Sequence, residues 1–287
     1  MLKYTTDDLF KVKPIISEES IALEKEETKS QFELEVEKGL KLWEEGYIDD
    51  ALEYFTILAE DYVSIPNLFY IVGYIHFEKQ DYPQAIESMQ QVLRIDPLFL
   101  DAKFMIGNIY IEQRKFDEAK EVMKTLADVP TFAPQGYFGL GMIALQEGLY
   151  GKAAVNLRKS IRLDSSYHDP YLPLVNLEIL YFKDLKKARK RMDYAVEMDS
   201  TWQQVRIVRS LLAIAEYEDF ELFNQDIEVL ILQDPTNYHY YSIKGFLEME
   251  FGNYRNAVEN FRMAYNLEVD SLQRGAYQFK IDQRQSI

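Results

Sequence analysis

The sequence predicts an all-α fold, a single array of stacked helical repeats, from three markers that return together with one period. Small residues stand at Gly39, Gly73, Gly107 and Gly141, each 34 residues after the last. Alanines stand at Ala51, Ala85, Ala119 and Ala153 with the same spacing. An apolar, mostly aromatic residue precedes each alanine by three: Ile48, Tyr82, Phe116 and Tyr150. A fixed period of about 20–50 residues is the signature of a repeat array, in which no unit buries its apolar faces alone and neighbours must stack. The markers go on as Asn176, Leu185 and Ala188, one residue late, and as Gly245, Tyr254 and Ala257.

The segments EKQDYPQAI, EQRKFDEAK, QEGLYGKAA and EFGNYRNAV are one turn written four ways, and Asp96-Pro97 and Asp234-Pro235 close two of the units. On these residues the chain resembles the tetratricopeptide repeat family. The resemblance implies a helix–turn–helix unit in which a small residue at position 8 faces an alanine at position 20, with a bulky apolar residue at 24. Position 24 here is Phe55, Met89, Met123, Leu157, Met192 and Phe261, while the family's tryptophan at position 4 is missing from every unit. The resemblance also implies an α-α superhelix whose first helices line the concave side.

Counting in this register gives seven units: 32–65, 66–99, 100–133, 134–167, 169–202, 204–237 and 238–270. In the sixth, the two small positions hold Leu211 and Phe223. Both are large, so its helices are expected to splay. Pro170 and Pro173 fall in the first turn of a helix, where backbone N–H groups have no intrahelical acceptor and proline is tolerated.

Residues 1–31 precede the array and 271–287 follow it. Ser30 with Glu33 reads as a capping box for the first repeat helix. Upstream, Leu9, Phe10, Val12, Ile15 and Ile16 surround Pro14, as either a free tail or an arm that docks on the array. After the last repeat, Leu272, Tyr277, Phe279 and Ile281 suggest a partial capping helix.

Composition narrows the function. Of 287 residues 47% are hydrophobic, enough for a core, and 12 Gly and 9 Pro are too few for a low-complexity chain. Lys+Arg 32 against Asp+Glu 48 gives −16, which speaks against nucleic acid and anionic membrane surfaces as partners. Without cysteine there is no disulfide, thiolate metal site or cysteine nucleophile. No apolar run approaches the roughly 18 residues of a membrane span, and the start MLKYTTDDLFKVKPIIS lacks a signal-peptide core, so a cytoplasmic location is expected.

No chemistry announces itself. His76, His168 and His239 are isolated, His76 at a core-facing position. HExxH, GxSxG, GxxxxGK[ST] and GxGxxG are all absent. No catalytic residue, cofactor or metal is expected. Charge is unevenly spread: residues 31–65 hold ten acids and two bases, and 204–237 seven acids and two bases. Against these, Lys183, Lys186, Lys187, Arg189, Lys190 and Arg191 form a basic cluster, a candidate secondary docking patch for an acidic partner.

Family geometry places unit positions 2, 5, 9, 12 and 13 on the inner face. They include Trp43, Tyr70, Tyr74, Phe77, Phe104, Asn108, Ile111, Phe138, Met142, Leu145, Tyr181, Phe246 and Met249. Such a set is either filled core or a groove that receives an apolar peptide or helix. The clamp by which some family members hold the acidic tail of chaperones needs basic residues at position 5, where this chain has Val36, Tyr70, Phe104 and Phe138. The expected function is a non-enzymatic adaptor binding another protein or peptide in an aromatic groove. The alternative is a structural subunit that forms homo-oligomers through its acidic and basic surfaces.

Overall fold

The computed structural model describes residues 31–217, 219–268 and 277. The expectations for Ser30, for residues 1–29 and for most of 271–287 lie outside them. Among the described residues there are fourteen helices and no strand. They fall into two compact bodies, one up to Phe132 and one from Ala133. The first holds α1 (Gln31–Glu44), α2 (Ile48–Asp61), α3 (Pro66–Glu78), α4 (Tyr82–Ile95), α5 (Leu100–Glu112) and α6 (Phe116–Ala127). The second holds α7 (Ala133–Gln146), α8 (Tyr150–Leu163), α9 (Tyr171–Leu180), α10 (Leu185–Met198), α11 (Gln203–Tyr217), α12 (Phe220–Gln233), α13 (Tyr238–Glu250) and α14 (Tyr254–Leu267). Within each body every helix packs on its neighbours in the chain.

One turn joins the helices of five pairs. The first helix ends, a residue enters the left-handed region, and the second begins: Gly46 (φ +86°), Gln80 (+60°), Arg114 (+59°), Gly148 (+74°) and Gly252 (+75°). The following N–H reaches back to the carbonyl five residues earlier, as from Tyr47 to Leu42 (2.9 Å), Asp81 to His76 (2.8 Å) and Lys115 to Tyr110 (2.8 Å). These bonds satisfy carbonyls that the helix end would leave orphaned. Gln80 and Arg114 adopt a backbone that costs an L-residue about 1–2 kcal/mol. Gly incurs about 0.5–1 kcal/mol of extra chain entropy instead. Gln80→Gly is therefore expected to raise stability by about 0.5–1 kcal/mol, readable as a higher urea midpoint, whereas Lys79→Gly at the right-handed position before it (φ −75°) should lower it. An unchanged or lower midpoint for Gln80→Gly would contradict the assignment.

The repeating glycine has a specific neighbour. A Cβ at Gly39 would stand 2.6 Å from Phe55, at Gly73 2.7 Å from Met89, at Gly107 2.5 Å from Met123, at Gly141 2.9 Å from Leu157 and at Gly245 2.8 Å from Phe261. The family pattern pairs this position with the alanine at 20. Here the space is taken chiefly by the large side chain at 24, which is fully buried in each case. The alanine lets the backbones approach, and the glycine makes room for the side chain one turn further on.

The fifth and sixth repeats keep the helix pair but slip by one residue. Asn176 is exposed and Val175, just before it, is fully buried. Leu211 is half-exposed and Ser210, just before it, is fully buried. A leucine cannot enter the slot a glycine vacates, so the helix presents the smaller preceding residue. Buried charges accompany the slip. Glu178 on α9 accepts two bonds from Arg191 on α10 (3.0 and 2.7 Å). Asp226 on α12 accepts from Arg206 (2.8 Å) and from Arg209 Nε (2.9 Å) on α11. Pro173 lies in the first turn of α9, as the sequence predicts, while Pro170 stands just ahead of the helix at the N-cap position.

In the second and third repeats the two helices differ in kind. α4 buries Ala85, Met89 and Val92, a single stripe at spacings of four and three. α6 does the same with Ala119, Met123 and Leu126. α3 and α5 are apolar on nearly every side and bury six and seven residues. A helix apolar all round must be covered all round.

Candidate partner-binding surfaces

In the first body, α1 and α3 share an aromatic ladder. The Trp43 ring lies 5.5 Å from that of Tyr74, Tyr74 lies 6.3 Å from Phe77, and Phe77 lies 6.1 Å from Tyr82. The Trp43 indole N–H donates to Glu78 (2.9 Å), which ties the end of α3 to the end of α1. Tyr70 stacks 5.5 Å from Phe99, and burial with the charge of Asp101 pushes its phenol pKa up. Trp43, Tyr70, Phe77 and Asn108 are half-buried and keep part of their surface in water.

Tyr74, Phe104 and Ile111 are closed to solvent, and so is Phe138 in the second body. These four are core, not groove. The sequence places them on the inner side of their helices, but a first helix is flanked by partners in its own repeat and beyond, and the positions nearest those partners fill up.

In the second body Met142, Leu145 and Met249 are half-buried. Tyr181 is 57% exposed, with its ring 3.8 Å from that of Tyr150. It sits among exposed Leu180 and Phe182 at the end of α9. Phe246 is 40% exposed and meets buried Phe261 edge-on at 5.3 Å. The described Tyr277 also lies against Phe261, 6.3 Å between rings.

The basic cluster needs two corrections. Arg189 is spent on Asp193 (3.1 Å) and Asp219 (3.4 Å), and Arg191 on Glu178, so neither is a free docking cation. Lys187 bonds Asp184 (3.0 Å), the carboxylate that caps α10. Lys183, Lys186 and Lys190 remain exposed. The sequence pattern did not single out Arg158 and Arg162 of α8, which line open depressions shared with Arg191 of α10. The available signal was that α8 and α10, successive second helices, carry four and five bases against no acid and two.

The three histidines sit in different settings. His76 is half-buried, and burial lowers its pKa against the opposing pull of Asp81, 3.6 Å away. His168 stacks on Trp202 at 4.1 Å and lies 3.6 Å from Asp199. His239 is exposed, its ring 3.9 Å from that of Tyr238.

Two family models described as tetratricopeptide repeat match this chain, one over residues 36–98 and 104–167 and one over 76–131. Over residues 36–167 the chain consists of tetratricopeptide repeats. Anaphase-promoting complex subunit 3 of Schizosaccharomyces pombe is 22% identical over 191 residues, 66% of this chain but 28% of that relative's length. The chain thus corresponds to just over a quarter of it. Among solved structures, a thermophilic tetratricopeptide protein of Thermus thermophilus is similar with a TM-score of 0.52 and 17% identity, covering 64% of this chain and 99% of that one. PilW, a type IV pilus biogenesis factor, is similar with a TM-score of 0.51 and 13% identity, covering 72% and 96%. At these identities the likeness shows the fold alone. Tetratricopeptide repeats are protein-interaction modules, and this array is an interaction scaffold. Among its described residues no helix is long and apolar enough to cross a membrane.

Proposed function

We propose that this tetratricopeptide array is a non-enzymatic adaptor that holds an apolar or aromatic segment of a partner protein against the half-buried aromatics of its first helices. The observation that carries this is the ladder of Trp43, Tyr74 and Phe77 on α1 and α3, whose middle ring is core and whose outer rings keep partial exposure. A buried ring holds its neighbours in place, so the partner meets a surface already ordered, and the entropy cost of binding falls. Tyr70 and Asn108 belong to the same body. Tyr181, Phe246, Met142, Leu145 and Met249 are the equivalent surface positions of the second.

The test is selection of binders from a random peptide library on the full chain, followed by affinity measurement on Phe77→Ala, Tyr181→Ala and Phe246→Ala. Selected peptides should be rich in aromatic and aliphatic residues. At least one variant should weaken binding by about 1–2 kcal/mol, the usual size for an anchor at an interface. Equal affinity for all three variants would refute the aromatic surface as the binding site.

A further inference from the structure

Cation-rich second helices are out of place in a chain of net charge −16. α8 and α10 line an open depression of about 540 Å³, and α8 with Arg191 of α10 lines an adjoining one of about 380 Å³; the two share Ile161, Arg162 and Arg191. Together they form one elongated cleft. Arg158 and Arg162 stand one helical turn apart on α8, and Lys190 of α10 lines the first depression with Arg162. None of these three makes an ion pair with another described residue, whereas Arg191 is held by Glu178 and Lys187 by Asp184. Between the cations the lining is apolar: Val155, Ile161 and half-exposed Tyr194.

We propose that this cleft binds an acidic segment of a partner protein, one whose carboxylates alternate with aliphatic side chains. This surface is distinct from the aromatic one and goes beyond the function proposed above. Three observations select the occupant. The cations outnumber those around one point: Arg162 and Lys190 share the first depression, and Arg158 stands in the second, a helical turn further along α8. The intervening apolar lining gives aliphatic side chains a place to leave water. Elsewhere the acidic surface repels an acidic segment, which leaves this cleft as the place where it is attracted.

The experiment uses the full chain and a fluorescein-labelled peptide of alternating glutamate and leucine, read by anisotropy. Binding should weaken at least about tenfold in Arg162→Glu and in Lys190→Glu, both exposed and outside the core, and should fall as salt is raised. Arg255→Glu makes the same charge change at an exposed cation of α14 that does not line the cleft and should alter affinity by no more than about twofold. Circular dichroism establishes that the variants keep their helices. Absence of binding, or equal loss in all three variants, overturns the proposal. Displacement by low millimolar inorganic phosphate would overturn it in favour of a compact anion. A dimer that Arg162→Glu dissociates would overturn it in favour of the acidic first repeat of a second copy. Phe77→Ala should bind this peptide as the unaltered chain does, which separates failure here from failure of the aromatic surface.

Discussion

Gly39→Leu is expected to be among the most damaging single substitutions in the first body, costing about 3 kcal/mol or more. The first new carbon alone would lie 2.6 Å from Cζ of Phe55 and 2.9 Å from Tyr54. Phe55 is fully buried and its ring is rigid, so α1 and α2 must move apart. Gly245→Leu meets the same obstacle in Phe261. Gly107→Leu should also be severe, but alanine separates the cases. At Gly107 the contact at 2.5 Å is the terminal methyl of Met123, a flexible end that a small rotation can withdraw. Alanine also gains about 0.5–1 kcal/mol over glycine within a helix. Gly107→Ala should therefore be close to neutral, while Gly39→Ala and Gly245→Ala, against rings, should destabilise. Urea unfolding of the series checks the order. If all three alanine variants behave alike, the side chain at position 24 does not set the tolerance.

Asp226→Ala is expected to cost about 3–5 kcal/mol, the loss that follows when one member of a buried ionic cluster is removed. Asp226 has no exposed surface, and the side chains of Arg206 and Arg209 are 9% and 13% exposed. Without the carboxylate two guanidinium groups stay close together in a poorly solvated site. Arg206 keeps its bond to the Ser200 carbonyl (2.7 Å), and Arg209 keeps only the distant Asp193 (3.9 Å). Hydrogen exchange should show the loss as faster opening of α11 and α12. The exposed pair Lys124–Glu121 is the comparison, and Glu121→Ala should cost less than about 1 kcal/mol. A loss below about 1 kcal/mol for Asp226→Ala would mean that both arginines escape to water when their partner is removed.

The period, the helix pairs, the turn between them and the glycine register of the first four and the last repeats are legible in the chain. All of these follow from contacts inside one repeat, such as Gly73 with Met89, and a contact repeated at fixed spacing leaves a fixed spacing in the chain. The tertiary structure alone decided which aromatics reach solvent. Tyr74 and Phe77 stand three residues apart on α3, yet Tyr74 is 2% exposed and Phe77 is half-buried. What separates them is packing against α1 and the helices around it, which no pattern within α3 records. The same holds for the ionic clusters and the basic cleft. Glu178 and Arg191 are 13 residues apart, Arg206 and Asp226 are 20 apart, and neither pair recurs with the repeat. Arg162 and Lys190 line one depression only because α8 and α10 both pack on α9. Charge in a sequence gives the number of cations, but whether a carboxylate has already claimed one, as with Arg189 and Arg191, depends on where the neighbouring helix ends.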